Sequence, residues 1–284
     1  MTQWFNSAST IATSLAARPL DLLELRLLLM HVTGLTRMQL ITQDQRQLTE
    51  TEAQQLNQLV AARLAGQPIA YLLGYREFFG LNFITTPAVL IPRADTELLV
   101  ELALEKAPAA ASVLDLGTGS GAIALALTHS RADLRVTALD LSAEALAVAQ
   151  RNAEQLVPEA LASGRCQLIL SDWFSALKPQ GFDLIVSNPP YIEAGDTHLQ
   201  QGDLRFEPAQ ALSDGADGLS HYRQIIQQAP AWLKPHGQLY FEHGYDQAEA
   251  VRALLSAAGF SEVQSWRDLA GIERVSGGRW CAQN

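Results

Sequence analysis

The chain has 284 residues, 48% apolar and 18% charged, which suits a folded protein with a sizeable core and excludes wholesale disorder. A formal charge of −10 and a pI of about 5.0 argue against duplex binding, which needs a basic stripe to displace phosphate counterions, and no such Lys/Arg cluster occurs. The most leucine-rich stretch, residues 20–30, is broken by Asp21, Glu24 and Arg26, so it reads as an amphipathic helix and not a membrane span.

In chain order, residues 1 to about 75 read as helical. Leu22, Leu25 and Leu29, with Leu23, Leu27 and Met30, recur at helical spacing and predict one covered face, ended by Gly34. A second helix is expected from Thr49 or Thr51 to Leu64, with Glu52 as the reciprocal capping partner of Thr49 and with Gly66 and Pro68 beyond its end. From Phe78 to Pro92 the run FFGLNFITTPAVLIP is aromatic and β-branched with Gly and Pro breaks, which predicts a hairpin or short extended linker.

Strand–helix alternation follows. Strands are expected over 112–116, 134–139, 167–170, 183–187 and 238–242. Helices are expected over 122–129, 143–155, 222–233 and 247–258, with two closing strands. This is the pattern of an α/β fold, a mostly parallel sheet with helices on both faces. The expected division is a helical domain over 1–75, a hairpin linker over 76–93 and an α/β domain over 94–284. The N-terminal stretch lacks a basic start followed by an apolar run, so no secretory leader is expected and a cytoplasmic location is the default. Two cysteines, Cys166 and Cys281, make no disulfide framework, and the six scattered histidines suggest no metal site.

The segment Val113-Leu114-Asp115-Leu116-Gly117-Thr118-Gly119-Ser120-Gly121 is a strand running into a glycine turn and then a helix. Glycines there let a ligand approach the backbone. Gly117, Gly119 and Ala122 also satisfy a relaxed dinucleotide fingerprint, with Asp140 at about the distance expected of a ribose contact. Asp115 separates the two readings. Facing the mouth of the site, it would repel a pyrophosphate and attract a cation such as S-adenosylmethionine, which has an ammonium, a sulfonium and a ribose but no phosphate. Alternatively, Asp115 only caps the turn. Asp172 and Trp173 follow the third strand and could flank an adenine, Trp173 by packing and Asp172 by accepting from the amino group. A core aromatic is the competing role for Trp173.

Ser187-Asn188-Pro189-Pro190-Tyr191 directly follows an apolar strand. Two consecutive prolines cannot continue a sheet, but they make a stiff turn with free carbonyls. A planar NH2 group is a poor nucleophile because its lone pair is delocalised. Two acceptors, the Asn188 side-chain oxygen and the Pro189 carbonyl, could hold both N–H bonds and orient the nitrogen toward a methyl sulfonium. Tyr191 would stack on the flat substrate. The competing reading is a turn with a packed aromatic.

The combination of DLGTGSG, SNPPY, REFFGLNF with LIPRADTE, and RFEP resembles the bacterial release-factor glutamine methyltransferases, the PrmC or HemK proteins, over nearly the whole chain. The resemblance implies a Rossmann-like class I S-adenosylmethionine-dependent methyltransferase domain, with a mostly parallel seven-stranded sheet, joined by a β-hairpin linker to a small all-helical N-terminal domain that helps dock the substrate. It implies methylation of the glutamine side-chain nitrogen in the Gly-Gly-Gln loop of class I release factors. Carried over by residue, it implies cofactor contacts from Gly117, Thr118, Gly119, Ser120 and Gly121, with Asp140, Trp173 and Asn188. The glutamine-binding segment is matched by Asn188, Pro189, Pro190 and Tyr191, and the linker motif by Arg93 and Glu97. Ala94 departs from the proline usual in the family.

Smaller features complete the reading. Arg205, Phe206 and Glu207 form either a lid over the glutamine or a surface loop with a structural ion pair. Glu242 and His243 read as a satisfied strand-end pair, and Asn152 as a helix-surface residue. The acidic chain disfavours a nucleobase amino-group methyltransferase, the alternative enzyme. Asp115 and the intact tetrapeptide disfavour a noncatalytic dinucleotide-binding module. Nothing demands an oligomer, a metal or a membrane.

Overall fold

The computed structural model describes residues 3–178 and 180–281, and the chain divides into two compact units, residues 1–74 and 75–284. The first unit is built from the helices α1 (Ile11–Ala17), α2 (Leu22–Thr33), α3 (Arg37–Thr42), α4 (Glu50–Leu64) and α5 (Ile69–Leu73). Asp21 caps α2 by accepting from the Leu23 N–H at 2.8 Å, and Gly34, at φ 68°, closes it. Leu25, Leu28 and Leu29 are buried, whereas Leu23 is 65% exposed. The predicted apolar face is therefore shifted: at about 100° per residue, Leu23 lies roughly 160° from Leu25. In α4, Thr49 and Glu52 form the expected reciprocal capping box, which places the start at Thr49 and not Thr51. Glu52 also pairs with Arg46 at 2.7 Å. Phe5, Ile11, Leu56 and Val60 join the α2 leucines in this unit's own core.

The second unit opens with a hairpin of β1 (Tyr75–Phe78) and β2 (Leu81–Ile84), turned through Phe79 and Gly80 at φ 52° and 74°. Positive φ at both central residues matches the twist of the flanking strands. Phe78 and Phe83 are buried in the same core as α6 (Glu97–Lys106), an element the sequence did not mark. Then come β3 (Ser112–Leu116), α7 (Ala122–Ser130), β4 (Arg135–Asp140), α8 (Ala143–Leu156), the short α9 (Pro158–Ala162), β5 (Cys166–Leu170) and β6 (Phe182–Ser187). They are followed by α10 (Ala209–Leu212), α11 (Ser220–Gln228), β7 (Leu233–Glu242), α12 (Ala248–Ala257), β8 (Phe260–Arg267) and β9 (Glu273–Trp280).

The sheet is seven-stranded in the order β5-β4-β3-β6-β7-β9-β8. Strands β3 to β7 pair in parallel, and β9 is antiparallel to both its neighbours. The expected mostly parallel sheet is present. The helix predicted over 222–233 stops at Gln228, because Pro230 cannot continue the ladder and a 3-10 turn over Ala229–Ala231 replaces it. Strand β7 starts at Leu233, five residues before the predicted 238. Its first half holds Pro235, His236 at φ 66° and Gly237, and the pairing with β6 is irregular there, so it does not read as a strand.

Asn152 is not on a helix surface. It is fully buried, its Oδ1 accepts from the Ile84 N–H at 2.7 Å, and its Nδ2 donates to Ser120 O at 2.9 Å and Ile84 O at 3.2 Å. One amide thus ties the hairpin to the turn after β3. Asn152→Ala is expected to strand buried backbone groups and destabilise the second unit by roughly 2–4 kcal/mol. Urea unfolding checks this, and a midpoint equal to wild type would refute it.

Candidate active site

Chain order places β3, β4 and β5 on one side of the switch point and β6 and β7 on the other, so the loops after β3 and β6 leave adjacent strand ends. Leu116 pairs with Ser187, and the Ser187 hydroxyl donates to Leu116 O at 2.8 Å, locking the two ends in register. The glycine turn and Asn188-Pro189-Pro190-Tyr191 therefore emerge side by side.

A cavity of about 650 Å³ opens there. Of the predicted residues, Gly117, Gly119, Asp140, Asp172, Trp173, Asn188 and Pro190 line it. Thr118, Ser120, Gly121, Pro189 and Tyr191 do not line it, nor do Arg93 and Glu97. The lining also includes Val89, Leu90, Leu141 and His221, which nothing in the sequence marked. Its charged members are all acidic, Asp140, Glu144 and Asp172, and burial pushes the His221 imidazole below its ordinary value, toward the neutral form. An acidic, lysine- and arginine-free lining suits a cationic ligand and repels a pyrophosphate.

The glycine turn takes its shape from local constraints. The Gly117 and Thr118 N–H groups both donate to Leu139 O, at 2.9 and 2.8 Å. Gly121 sits at φ 84°, where a Cβ would lie 2.9 Å from the Leu125 side chain, so only glycine allows the turn to enter α7 this closely. The Asp140 carboxylate ends β4 and accepts from Gly119 N–H and Ser142 N–H, each at 2.8 Å. Burial raises its pKa, opposed by these amides. Trp173, at φ 45°, is held by the Ser171 hydroxyl donating to its carbonyl at 2.6 Å, and its ring lies 5.2 Å from that of His221. It is a cavity wall that also packs on the second core.

Asp115 does not face the mouth as expected. It lies fully buried beneath the turn because it belongs to the pleat of a central strand, and Thr118 Oγ1 donates to its Oδ2 at 2.7 Å. Its Oδ1 has no hydrogen-bond partner. Burial pushes its pKa up to about 7, opposed by the Thr118 hydroxyl and the Ala124 amide. An unpaired carboxylate oxygen under a glycine turn is a place where a nearby cation restores lost solvation.

On the other strand end, Asn188 Nδ2 lies 3.4 Å from Thr96 Oγ1. Tyr191 is partly buried, and burial raises its pKa, with the Glu242 charge adding to the effect. The expectation of a satisfied pair holds for His243, whose Nδ1 and Nε2 sit 2.8 Å from Gly244 O and Ser276 Oγ. It fails for Glu242: the strand end is enclosed by its neighbours, and Oε2 is buried without a partner. Burial pushes the Glu242 pKa up to about 7, opposed first by the Thr96 hydroxyl.

Arg93 and Glu97 act as braces. Glu97 Oε1 accepts from Phe79 N–H at 2.9 Å, steadying the hairpin turn, and Arg93 pairs with Glu207. Glu207 also accepts from Ile91 N–H at 3.0 Å, and burial raises its pKa despite the Arg93 charge. For Glu207 the structure favours the ion pair over the lid, while Arg205 lies 4.9 Å over the Phe206 ring.

The two raised carboxyls predict a pH dependence of stability. With an ordinary value of 3.8 for Asp115 and 4.5 for Glu242 and native values of about 7, the native state holds protons that the unfolded chain has lost. Stability therefore falls as pH rises from about 4 to 7, by roughly 1.4 kcal/mol per pH unit for each group, and levels off above. Asp115→Asn or Glu242→Gln should each flatten that slope in thermal melts at pH 5 to 8. Unchanged slopes would contradict the assignment.

A family model described as the methyltransferase small domain matches residues 91–215, and a PrmC N-terminal domain model matches residues 9–74. The chain is 54% identical over 276 residues to a release factor glutamine methyltransferase of Burkholderia pseudomallei, covering 96% of this chain and 97% of that protein. It is 47% identical over 255 residues to the release factor glutamine methyltransferase of Escherichia coli, covering 89% and 90%. A solved methyltransferase structure from Pyrococcus furiosus shares the fold at a TM-score of 0.53 and 19% identity, covering 77% of this chain and 95% of that one. With about half of its residues identical to such enzymes over nearly the full length of both chains, the chain belongs to the release factor glutamine methyltransferase family.

Proposed function

We propose that this chain transfers a methyl group from S-adenosylmethionine to the side-chain N5 of the glutamine in the Gly-Gly-Gln motif of class I peptide-chain release factors. The observation that carries the reading is Asn188-Pro189-Pro190-Tyr191 locked in register beside the glycine turn on an acidic cavity. When bound, S-adenosylmethionine supplies an electrophilic methyl group on a sulfonium. Gly117 and Gly119 leave room for it against the backbone. The Asp140 oxygens each keep acceptor capacity beyond the amide they already hold and can take the ribose hydroxyls. Trp173 and the 72%-exposed Leu141 offer apolar faces for the adenine, with Asp172 accepting from its amino group. Asp115 supplies negative charge beneath the turn.

The glutamine amide is held by the Asn188 Oδ1 and the Pro189 carbonyl, which accept its two N–H bonds and aim the nitrogen along the methyl–sulfur axis. Pro190 and Tyr191 shape the slot and keep water out. The bond from nitrogen to the methyl carbon would form as the methyl–sulfur bond breaks, with the electron pair staying on sulfur in the leaving S-adenosylhomocysteine. The nitrogen would shed its proton to solvent during or after transfer, so no base is needed beforehand. Arg93 and Glu97 serve the substrate indirectly: Arg93 through Glu207, which holds the Ile91 N–H next to Val89 and Leu90, and Glu97 by steadying the hairpin turn. The helical unit over residues 1–74 docks the release factor. The enzyme works as a cytoplasmic monomer with a protein substrate and no nucleic acid or membrane partner, in keeping with the net charge of −10. Among the described residues no helix is long and apolar enough to cross a membrane.

The test is incubation with S-adenosylmethionine and unmodified class I release factor, followed by peptide mapping in a mass spectrometer. One methyl on the Gly-Gly-Gln glutamine is expected, and its absence with cofactor binding intact would sink the proposal. Asn188→Ala should reduce transfer by at least about a hundredfold while keeping the fold, because it deletes one of two acceptors at the reacting nitrogen. Asp115→Asn should weaken cofactor binding about tenfold by calorimetry. An affinity equal to wild type would leave Asp115 a capping role only.

A further inference from the structure

Glu242 ends β7 at 2% exposure. Ser187 pairs with Phe241, so Asn188 and Glu242 leave neighbouring strand ends in step. That register brings the Glu242 carboxyl to the strand end beside Asn188, and the nearby Thr96 hydroxyl and Asn188 amide both favour its charged form. Asn188 Nδ2 is 3.4 Å from Thr96 Oγ1, and Thr96 is itself buried. The backbone carbonyl of Glu242 accepts from the fully buried Tyr222 hydroxyl at 3.0 Å, which holds the strand end still.

A side-chain amide is nearly symmetric in shape, and only its neighbours decide which end is the donor and which the acceptor. An ionised carboxylate can only accept, so it selects Nδ2 over Oδ1 as its neighbour. We propose that Glu242, together with Thr96, is a positioning residue that turns Asn188 Nδ2 into the protein and presents Asn188 Oδ1 to the substrate amide. This rests on the reading above in which Asn188 Oδ1 accepts a glutamine N–H. It gives the buried carboxylate a task that a neutral core residue could not perform.

The device is pH-sensitive. Once protonated, Glu242 offers an O–H donor, which favours the opposite amide orientation and withdraws the acceptor from the substrate. Burial sets this transition at about 7, with Asp95 raising it and Arg274 opposing. Tyr191 and Tyr222, the other titratable groups facing this carboxyl, have pKa values raised by burial and stay neutral throughout. Asp115 titrates in the same range, but it acts through cofactor binding and drops out of turnover at saturating cofactor.

The test is kcat as a function of pH from 6 to 9 for the full chain, at saturating S-adenosylmethionine with unmodified release factor. Wild type should lose turnover as pH falls through about 7. Glu242→Gln, which permits both amide orientations, should abolish that limb, lower kcat at pH 8.5 on the order of tenfold and leave the cofactor affinity unchanged. In the Asn188→Ala background, Glu242→Gln should cost nothing further. Wild-type kcat with an intact acid limb in Glu242→Gln, or an additive loss in the double variant, would overturn the proposal. Should Glu242→Gln fail to fold, Thr96→Val keeps the shape and the carboxylate, and it should lower kcat severalfold at unchanged cofactor affinity. Unchanged kcat in Thr96→Val would then overturn it. Full activity in Asn188→Ala would instead remove the underlying assignment of Asn188, a separate result from failure of Glu242 to orient it.

Discussion

The parallel pairing of β3 with β6, sealed by Ser187 on Leu116, is the constraint on which the site depends. Two segments 71 residues apart in sequence become neighbours only because the chain reverses its direction of sheet growth there. One strand end offers a backbone that a ligand can approach, and the other offers acceptors on a stiff turn. Neither segment forms the cavity alone. A slip of one residue in this register would turn the alternating side chains of β6 to the other face and carry Asn188 away from the cavity.

Three carboxyls lie at these strand ends, Asp115 and Glu242 buried and Asp140 partly exposed to the cavity, and each is held differently. Asp140 accepts two backbone amides and serves as a cap as well as a wall. Asp115 and Glu242 each keep an oxygen without a partner, and burial pushes both pKa values to about 7. Such groups disfavour the folded state at neutral pH, since desolvation exceeds what one or two hydrogen bonds return. Their positions at the ends of the central strands concentrate negative charge where a cationic cofactor would sit. Local instability at a site whose ligand carries the missing countercharge is the usual trade between stability and function.

Around the cavity, the residues of the linker motif act through other residues. Glu97 steadies the hairpin turn, Arg93 and Glu207 join the linker to the segment after β6, and Asn152 joins the hairpin to the glycine turn. Long-range polar contacts of this kind bind irregular segments that have no ladder of their own. These polar side chains contribute no atom to the cavity lining and act by holding the segments that do.

The sequence by itself determined the α/β class, the mostly parallel sheet, the hairpin, the α4 capping box and both loops of the site, because each is set by short-range periodicity, turn chemistry or capping. Gly117, Gly119, Asn188 and Pro190, which line the cavity, stood out in the sequence for the same reason, and family resemblance supplied the reaction. Tertiary structure decided the rest. Leu23 faces solvent, Asn152 is buried, α11 ends before Pro230, and Asp115 lies under its loop and not in the mouth. It also decided that Glu242 ends the strand next to the one that leads into Asn188, while His243 is satisfied elsewhere. Those outcomes depend on which strands become neighbours and which face of a helix meets them, and contacts between residues far apart in sequence leave no local pattern to read.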